Sequence, residues 1–411
     1  MTALGPATTE RSPQVDIVPD GLDVPWWSSV FDETPSDAGP DPVAGPRSGR
    51  WRWILRPVLI YLVSRVVTYA AMGVAALVAH HSLAEEINTW DTKWFIRAAG
   101  IGWPSHLPIV HGHVGGTTVA FFPAFPLTFR WLSELTGMSL LMAGAIVSGV
   151  TGLTAMIAVW ALVREYAGTK AADRSTLLLA LFPASIVFSL VYAEGMIITL
   201  VAGCLLALMR RRWVVAGLLA ALATATAPVA LAVVVSCLWS AGRAIVRHRT
   251  WAALAAPVLA PLGFVAYQVW LWRHTGDLSA WRQTELGGWH SYLSAAYPVH
   301  VLRSFFGHPL GATATINVVF VGLIVTVVCA VVALRDRLPI PLLLYGLTVA
   351  VVAILTRPVG LRPRFIMLAF PLLLAVGTRL RGRSYVTLVS VSAVLLVAFS
   401  VYTVISNAVF P

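Results

Sequence analysis

The sequence predicts an all-α polytopic membrane protein with about 11 transmembrane helices (10–12) and a large first extracytoplasmic loop carrying interfacial helices. Three observations lead there. The chain is 58% hydrophobic and only 11% charged, where a soluble domain carries roughly a quarter charged residues. Its mean hydropathy is +0.79. From Ile54 onward, apolar stretches alternate with short arginine-bearing breaks. A soluble α/β enzyme, a disulfide scaffold and a disordered chain are thereby excluded. Cys204, Cys237 and Cys329 all lie in apolar runs, so neither a disulfide framework nor a thiolate metal site is indicated. The net charge of +11 marks cytoplasmic loops of a membrane protein rather than nucleic-acid affinity. Only Lys93 and Lys170 are lysine among 29 basic residues. That bias, with abundant Ala and Val, points to a high-GC bacterial genome, as in actinobacteria.

Residues 1–50 read as a disordered acidic, proline-rich cytoplasmic tail. They hold Glu10, Asp16, Asp20, Asp23, Asp32, Glu33, Asp37 and Asp41 and no long apolar run. The apolar start comes too late for a secretory signal peptide. One island, Val24-Pro25-Trp26-Trp27-Ser28-Ser29-Val30-Phe31, suits docking on a protein partner or the membrane interface, or is an incidental aromatic cluster. Residues 51–411 form the transmembrane domain. Spans are expected near 54–79, 139–163, 175–191, 194–209, 213–227, 228–241, 251–273, 312–334, 339–356, 364–378 and 384–408. They must be helices, because lipid-exposed backbone cannot stay unpaired. The pairs 175–209 and 213–241 read as tight helical hairpins.

Arginines orient the chain in a bacterial plasma membrane. Arg47, Arg50, Arg52 and Arg56 precede the first span and place the N-terminus in the cytoplasm. Arg164, Lys170 and Arg174; Arg210, Arg211 and Arg212; Arg243, Arg247 and Arg249; Arg335 and Arg337; and Arg379, Arg381 and Arg383 all fall inside if the tips near Tyr192 and Pro228 lie outside. This solution keeps 119–136 from crossing, as a re-entrant or interfacial helix on the outer face. If 119–136 crosses, Arg164, Lys170 and Arg174 move outside. In the preferred solution the outer face collects 80–118, the two tips, the loop 274–311 and the loop 357–363, and chemistry belongs there.

Outside the tail ten acids remain, and a carboxylate near a bilayer is costly to keep. Asp91 sits in Trp90-Asp91-Thr92-Lys93-Trp94-Phe95, just past the first span. Half-desolvated there, it suits a general base, or it is an interfacial ion pair with Lys93 or Arg97. Glu194, in an apolar run after Tyr192, must meet a cation, a polar ligand or water. Arg65 lies inside the first span, and Arg357, Arg362 and Arg364 cluster near the end of the chain. Their guanidinium groups suit a lipid phosphate, or they snorkel to headgroups. His290 and His308 are loop residues able to contact a substrate. His106, His111 and His113 lack an acid or cysteine at ligand spacing, so no metal is expected. There is no phosphate-cradling glycine loop, no Gly-x-Ser-x-Gly elbow and no Asp-x-Asp. A donor carried on a lipid needs none of them.

These pieces resemble the PIG-V-like (GPI mannosyltransferase II-like) family of the GT-C superfamily of membrane glycosyltransferases. Ser64-Arg65 falls in the first span. Trp90-Asp91-Thr92-Lys93-Trp94-Phe95 resembles the family's Trp-Asp-x-x-Trp-Tyr, with Thr92 in place of its glycine. Ala120-Phe121-Phe122-Pro123-Ala124-Phe125-Pro126-Leu127 resembles Phe-Phe-Pro-x-Tyr-Pro. Leu181-Phe182-Pro183-Ala184-Ser185 followed by Tyr192-Ala193-Glu194 resembles Phe-Pro-x-Ser and Tyr-Ser-Glu. Gly276-Asp277-Leu278-Ser279-Ala280-Trp281 and Arg362-Pro363-Arg364-Phe365 match weaker features. The family's Thr-Arg-Pro-x-Gly is Thr226-Ala227-Pro228-Val229-Ala230 here, without the arginine. Thr356-Arg357-Pro358-Val359-Gly360 carries that pattern elsewhere in the chain.

The resemblance implies a GT-C-like fold and a transferase moving a sugar, mannose by analogy, from a polyprenyl-phosphate donor to a cell-envelope glycolipid or polysaccharide on the extracytoplasmic face. It implies inversion, with Asp91 as the base. Glu194, Trp90, Lys93, Tyr192 and His290 are the expected substrate-binding residues, and Arg65, Arg357, Arg362 and Arg364 the lipid-phosphate ligands. No cofactor beyond the donor substrate is expected. Two other classes fit the same composition: a non-catalytic scaffold or partner subunit, and a lipid transporter or flippase. Against transport, no repeat pairs short broken segments across two halves.

Overall fold

The computed structural model describes residues 52–80, 82–307, 314–357, 360 and 362–405. The expected tail over 1–50, and His308, lie outside them. The chain is a bundle of helices with two short strand pairs at its loops. It begins with α1 (Arg52–Ala79), 28 residues long and hence about 42 Å. Three helices follow in the first of the two segments expected on the outer face: α2 (Leu83–Ile87), α3 (Asp91–Ile101) and α4 (Ala124–Thr136). The pair β1 (Ile109–Val110) and β2 (His113–Val114) is antiparallel and lies between α3 and α4. At 13 residues, α4 reaches only about 20 Å, too short for a bilayer core of about 30 Å. Its length suits the interfacial placement expected of 119–136.

Long α5 (Leu140–Ala167) starts at Ser139, whose hydroxyl accepts from Met142 N–H, and ends at Gly168. The expected span 175–191 is corrected here. Helix α6 (Thr169–Ala180) stops before Pro183, and a 3-10 turn (Pro183–Ser189) departs at 77°. Pro183 cannot donate to a continuing ladder. Arg65 of α1 repairs the break. Its guanidinium donates to the carbonyls of Ser185 (2.6 Å) and Ala180 (3.4 Å) and to the hydroxyls of Ser189 (2.8 Å) and Ser185 (3.0 Å).

Next come α7 (Glu194–Met209), α8 (Trp213–Thr226) and α9 (Ala232–His248). A 3-10 turn over Pro228–Leu231 leads straight into α9, so Arg243 and Arg247 ride on a helix that runs past the expected end at 241. Helices α10 (Ala255–Leu259) and α11 (Leu262–Thr275) form a span bent by 42°. The second outer segment holds α12 (Ala280–Gln283), a π turn (Thr284–Gly288), β3 (Tyr292–Leu293) and α13 (Tyr297–Gly307). Last are α14 (Ala314–Arg335), α15 (Ile340–Leu355), β4 (Thr356–Arg357), α16 (Pro363–Leu368), α17 (Phe370–Arg379) and α18 (Gly382–Ile405), with β3 antiparallel to β4. The expected span 364–378 is broken at Ala369 between α16 and α17.

Among the described residues five helices are long and apolar enough to cross a membrane, or seven counting each bent pair, against about eleven expected. Helices α7, α8, α15 and α17 are apolar but only 10 to 16 residues long. The chain is a multi-pass membrane protein. Small residues bring its helices close, as in membrane bundles generally. At Gly195 of α7 an added Cβ would sit 2.7 Å from the backbone nitrogen of Gly152 in α5. That crossing seats the N-terminus of α7, and therefore Glu194.

The remaining acids sort by end of the bundle. Where α1 begins, Asp173 accepts from Arg56 (2.8 Å) and from the Trp160 indole (2.7 Å), Glu165 pairs with Arg210 (2.6 Å), and Asp336 pairs with Arg379. Where α1 ends, Asp91 and Glu194 meet.

Candidate functional site

Asp91 is the first residue of α3, where the helix dipole favours a carboxylate. Trp90, just before it, holds φ +52°. A side chain in that region costs of order 1–3 kcal/mol. Asp91 accepts from Arg364, the second residue of α16. The alternative pairing with Lys93 or Arg97 is not made: both side chains are exposed, and Arg97 lies over the Trp94 ring. The Arg364 guanidinium also sits 5.8 Å from the Tyr192 ring and 5.1 Å from Phe365, within cation–π range. Burial works against its charge. Asp91, Glu194 and Tyr192 outweigh burial and hold the guanidinium above its ordinary value.

The tip carrying Tyr192 and Glu194 is fixed by Ser148, whose hydroxyl accepts from Tyr192 N–H (3.1 Å) and donates to its carbonyl (3.2 Å). Glu194, 7% exposed, opens α7.

Asp91, Glu194 and Arg364 line one cavity of about 930 Å³. Its lining comes from two sources. Ile197, Val352, Ala353 and Leu368 come from helices of the bundle, with Ala227 and Val229 from the turn after α8. Phe121, Phe122, Trp281, Glu285, Trp289 and Ser291 come from the segments before α4 and after α11. The 118–122 turn is pinned by three bonds: Thr118 hydroxyl to Gly102 carbonyl (2.9 Å), Tyr267 hydroxyl to Val119 carbonyl (2.8 Å) and Trp103 indole to Phe121 carbonyl (3.0 Å). Asp277 organises the other approach. It accepts from Ser279 N–H (2.7 Å), the Ser279 hydroxyl (2.7 Å) and Gln283 (2.6 Å), which sets the start of α12 and the position of Trp281. Gly287 and Gly288 lie against the backbone of the first outer segment. An added Cβ would be 2.4 Å from the Val114 carbonyl oxygen and 2.6 Å from Gly116 Cα.

Glu285 was only one of the scarce acids in the sequence, with no local signal to single it out. Burial pushes its carboxyl up to about 7, and the charge of Asp91 adds to the rise, while Ser291 and Trp281 favour the ionised form. It stands outside the spanning helices, on the π turn.

Other expected residues divide. Tyr192 is buried behind Arg364, and Trp90 is half-buried at the start of α3. Arg357 donates to the hydroxyl of Tyr292 (3.0 Å), a lining residue, and so stands beside the cavity. Arg362 is half-buried, its charge disfavoured by burial and then by Arg364. Lys93 and His290 are exposed and are not among the lining residues. Arg65 is a correction: buried, with its donors engaged at the α6 break, it does not reach the cavity.

No family model matches the sequence, and no curated protein matches it. The structure is similar to the crystal structure of ArnT from Cupriavidus metallidurans bound to undecaprenyl phosphate, at 15% identity and a TM-score of 0.50. The match covers 83% of this chain and 62% of that one, so this chain spans less than two thirds of the length of ArnT. The apo form of the same protein gives 15% identity, a TM-score of 0.47, and coverage of 80% and 61%. The chain shares the overall helical fold of that structure. The order of elements in that fold puts α3 and the tip before α7 at the same end of the bundle. This is why two acids 103 positions apart (194 − 91) share a cavity.

Proposed function

We propose that this chain is a membrane glycosyltransferase that takes a sugar, mannose by the PIG-V-like resemblance, from a polyprenyl-phosphate donor and passes it to a hydroxyl of a cell-envelope glycolipid or polysaccharide. One observation carries the reading. The resembling segments, dispersed over 275 positions (365 − 90), supply Asp91, Phe95, Phe121, Glu194, Trp281 and Arg364 to a single cavity. Ser64-Arg65 and the Leu181-Phe182-Pro183-Ala184-Ser185 piece serve elsewhere, at the α6 break. A lipid such as the undecaprenyl phosphate bound to ArnT suits a cavity whose lining is mostly apolar and includes Arg364.

In this reading the isoprenoid chain lies against the apolar lining and its phosphate against Arg364, with Arg362 and Arg357 nearby. Asp91 takes the proton of the acceptor hydroxyl. The oxygen attacks the anomeric carbon, the bond from that carbon to the phosphate oxygen breaks, and polyprenyl phosphate leaves with the bonding electrons. The attack from the opposite face inverts the anomeric centre. Arg364 touches both partners: it orients the base and is the fixed cation toward which the departing phosphate's charge develops. Ala227 and Arg364 line the same cavity, so the guanidinium missing at 227 is supplied from α16. In this reading the cavity faces the extracytoplasmic side, and residues 1–50 engage a cytoplasmic protein partner.

The test is transfer of radiolabelled mannose from polyprenyl-phosphate mannose to envelope extract by the protein in liposomes. Transfer by wild type and its loss in Asp91→Asn are expected. No transfer by wild type, with stable co-purification of another envelope protein, replaces this reading with that of a scaffold.

A further inference from the structure

The cavity lining holds two indoles and a carboxyl that the reaction above leaves without a task. Trp281 and Trp289 lie on the same short segment with Glu285 between them, and Ser291 follows. Each indole is braced from behind. Trp289 meets Trp94 edge-on at 5.0 Å and Phe121 at 5.8 Å. Trp281 meets Phe264 at 5.6 Å and Phe122 at 6.1 Å, both at 90°. Aromatic pairs of this geometry hold rings in place beyond their buried area. The segment itself is clamped to the first outer segment at Gly287 and Gly288, and α12 is capped by Asp277.

The chemistry of the lining selects the occupant. An isoprenoid chain offers no hydrogen bond to the capacity that Glu285 and Ser291 keep beyond their bond to each other, and covering polar atoms with hydrocarbon is costly. A cation is not required for charge balance, since Arg282 and Arg364 also line the cavity. A pyranose presents an apolar C–H face to an indole and a rim of hydroxyls to a carboxyl and a serine. We infer that Trp281, Trp289, Glu285 and Ser291 form a subsite for a sugar ring in the cavity. The ring belongs either to the donor or to the acceptor, and the acceptor case makes the acceptor a carbohydrate. The inference rests on the glycosyltransferase reading for its biology but not for its geometry.

The test uses full-length protein in lipid nanodiscs free of glycoside detergents, with methyl α-D-mannopyranoside observed by saturation-transfer NMR. Undecaprenyl phosphate binding is measured in parallel. Transfer to the ring C–H protons is expected in wild type and is expected to fall at least fivefold in Trp281→Leu, Trp289→Leu and the conservative Glu285→Gln, with undecaprenyl phosphate still bound. Displacement of the glycoside by polyprenyl-phosphate mannose, but not by polyprenyl phosphate, assigns the donor's ring. Simultaneous binding assigns the acceptor's. Equal signals in wild type and all three variants, or no signal in a wild type that binds undecaprenyl phosphate, overturn the subsite while leaving the proposed function standing. A variant-sensitive glycoside signal without lipid binding keeps the subsite and removes the lipid-linked donor.

Discussion

Asp91 and Arg364 form the pair on which the proposed chemistry turns, and each makes a separate prediction. Asp91→Asn keeps the side chain's shape and removes the base, so transfer is expected to fall by about 10²–10⁴-fold with donor binding retained, as read by lipid co-purification. Arg364→Lys keeps the charge and loses the planar fork, so the KM for donor is expected to rise more than kcat falls. Because the two groups touch, their effects should not add in the double variant. Glu285 predicts a pH dependence of stability. Its carboxyl is raised from 4.5 to about 7 in the folded protein. Between those values the folded chain holds a proton that the unfolded chain has released, so stability falls as pH rises through the window. Glu285→Gln should flatten this slope in Tm between pH 5 and 8; an unchanged slope would reject the assignment. Scarcity made Asp91 and Glu194 visible in the sequence, because a carboxylate among apolar residues demands a partner. Glu285 sits in an ordinary polar loop, and its place in one cavity with Asp91 depends on a segment far away in the chain. Arg65 misled for the converse reason: the oxygens that surround it belong to a helix break 115 to 124 positions downstream.

At the level of elements, the segments before α4 and after α11 line the cavity together where two backbones nearly touch. Gly287→Ala and Gly288→Ala each place a methyl group against backbone atoms that cannot rotate aside. Both are expected to lower Tm and weaken glycoside binding at least fivefold, while undecaprenyl phosphate, held by the bundle, still binds in a filter assay. Hydropathy located the long helices α1, α5, α14 and α18 to within a few residues, since each is a continuous apolar run. It failed at 175–191 and 364–378, where composition is apolar because the chain is buried in protein rather than facing lipid. Nearly every residue from Ala171 to Gly195 is buried, and α17 likewise. Apolar content reports removal from water, and cannot tell lipid from protein as the agent.

Across the whole molecule, the proposed topology sets the arginine-rich end in the cytoplasm and the cavity on the opposite side of the membrane. Cys204, Cys237 and Cys329 are all buried, so single introduced cysteines report sidedness against a low background. Lys93→Cys is expected to react with a membrane-impermeant maleimide in intact cells, and Arg247→Cys only after lysis; the reverse pattern would put the cavity on the cytosolic side. The order of the motifs was readable from the sequence, but their convergence was not, because it depends on a contact between residues 273 positions apart. That interval has a consequence during manufacture of the chain. At about 5–20 residues per second, a ribosome needs roughly 15 to 55 s to travel from codon 91 to codon 364. Throughout that wait the carboxylate stands without its guanidinium, so nascent chains halted after residue 360 should be cleared faster in a pulse-chase than full-length protein, and Asp91→Asn should slow their clearance.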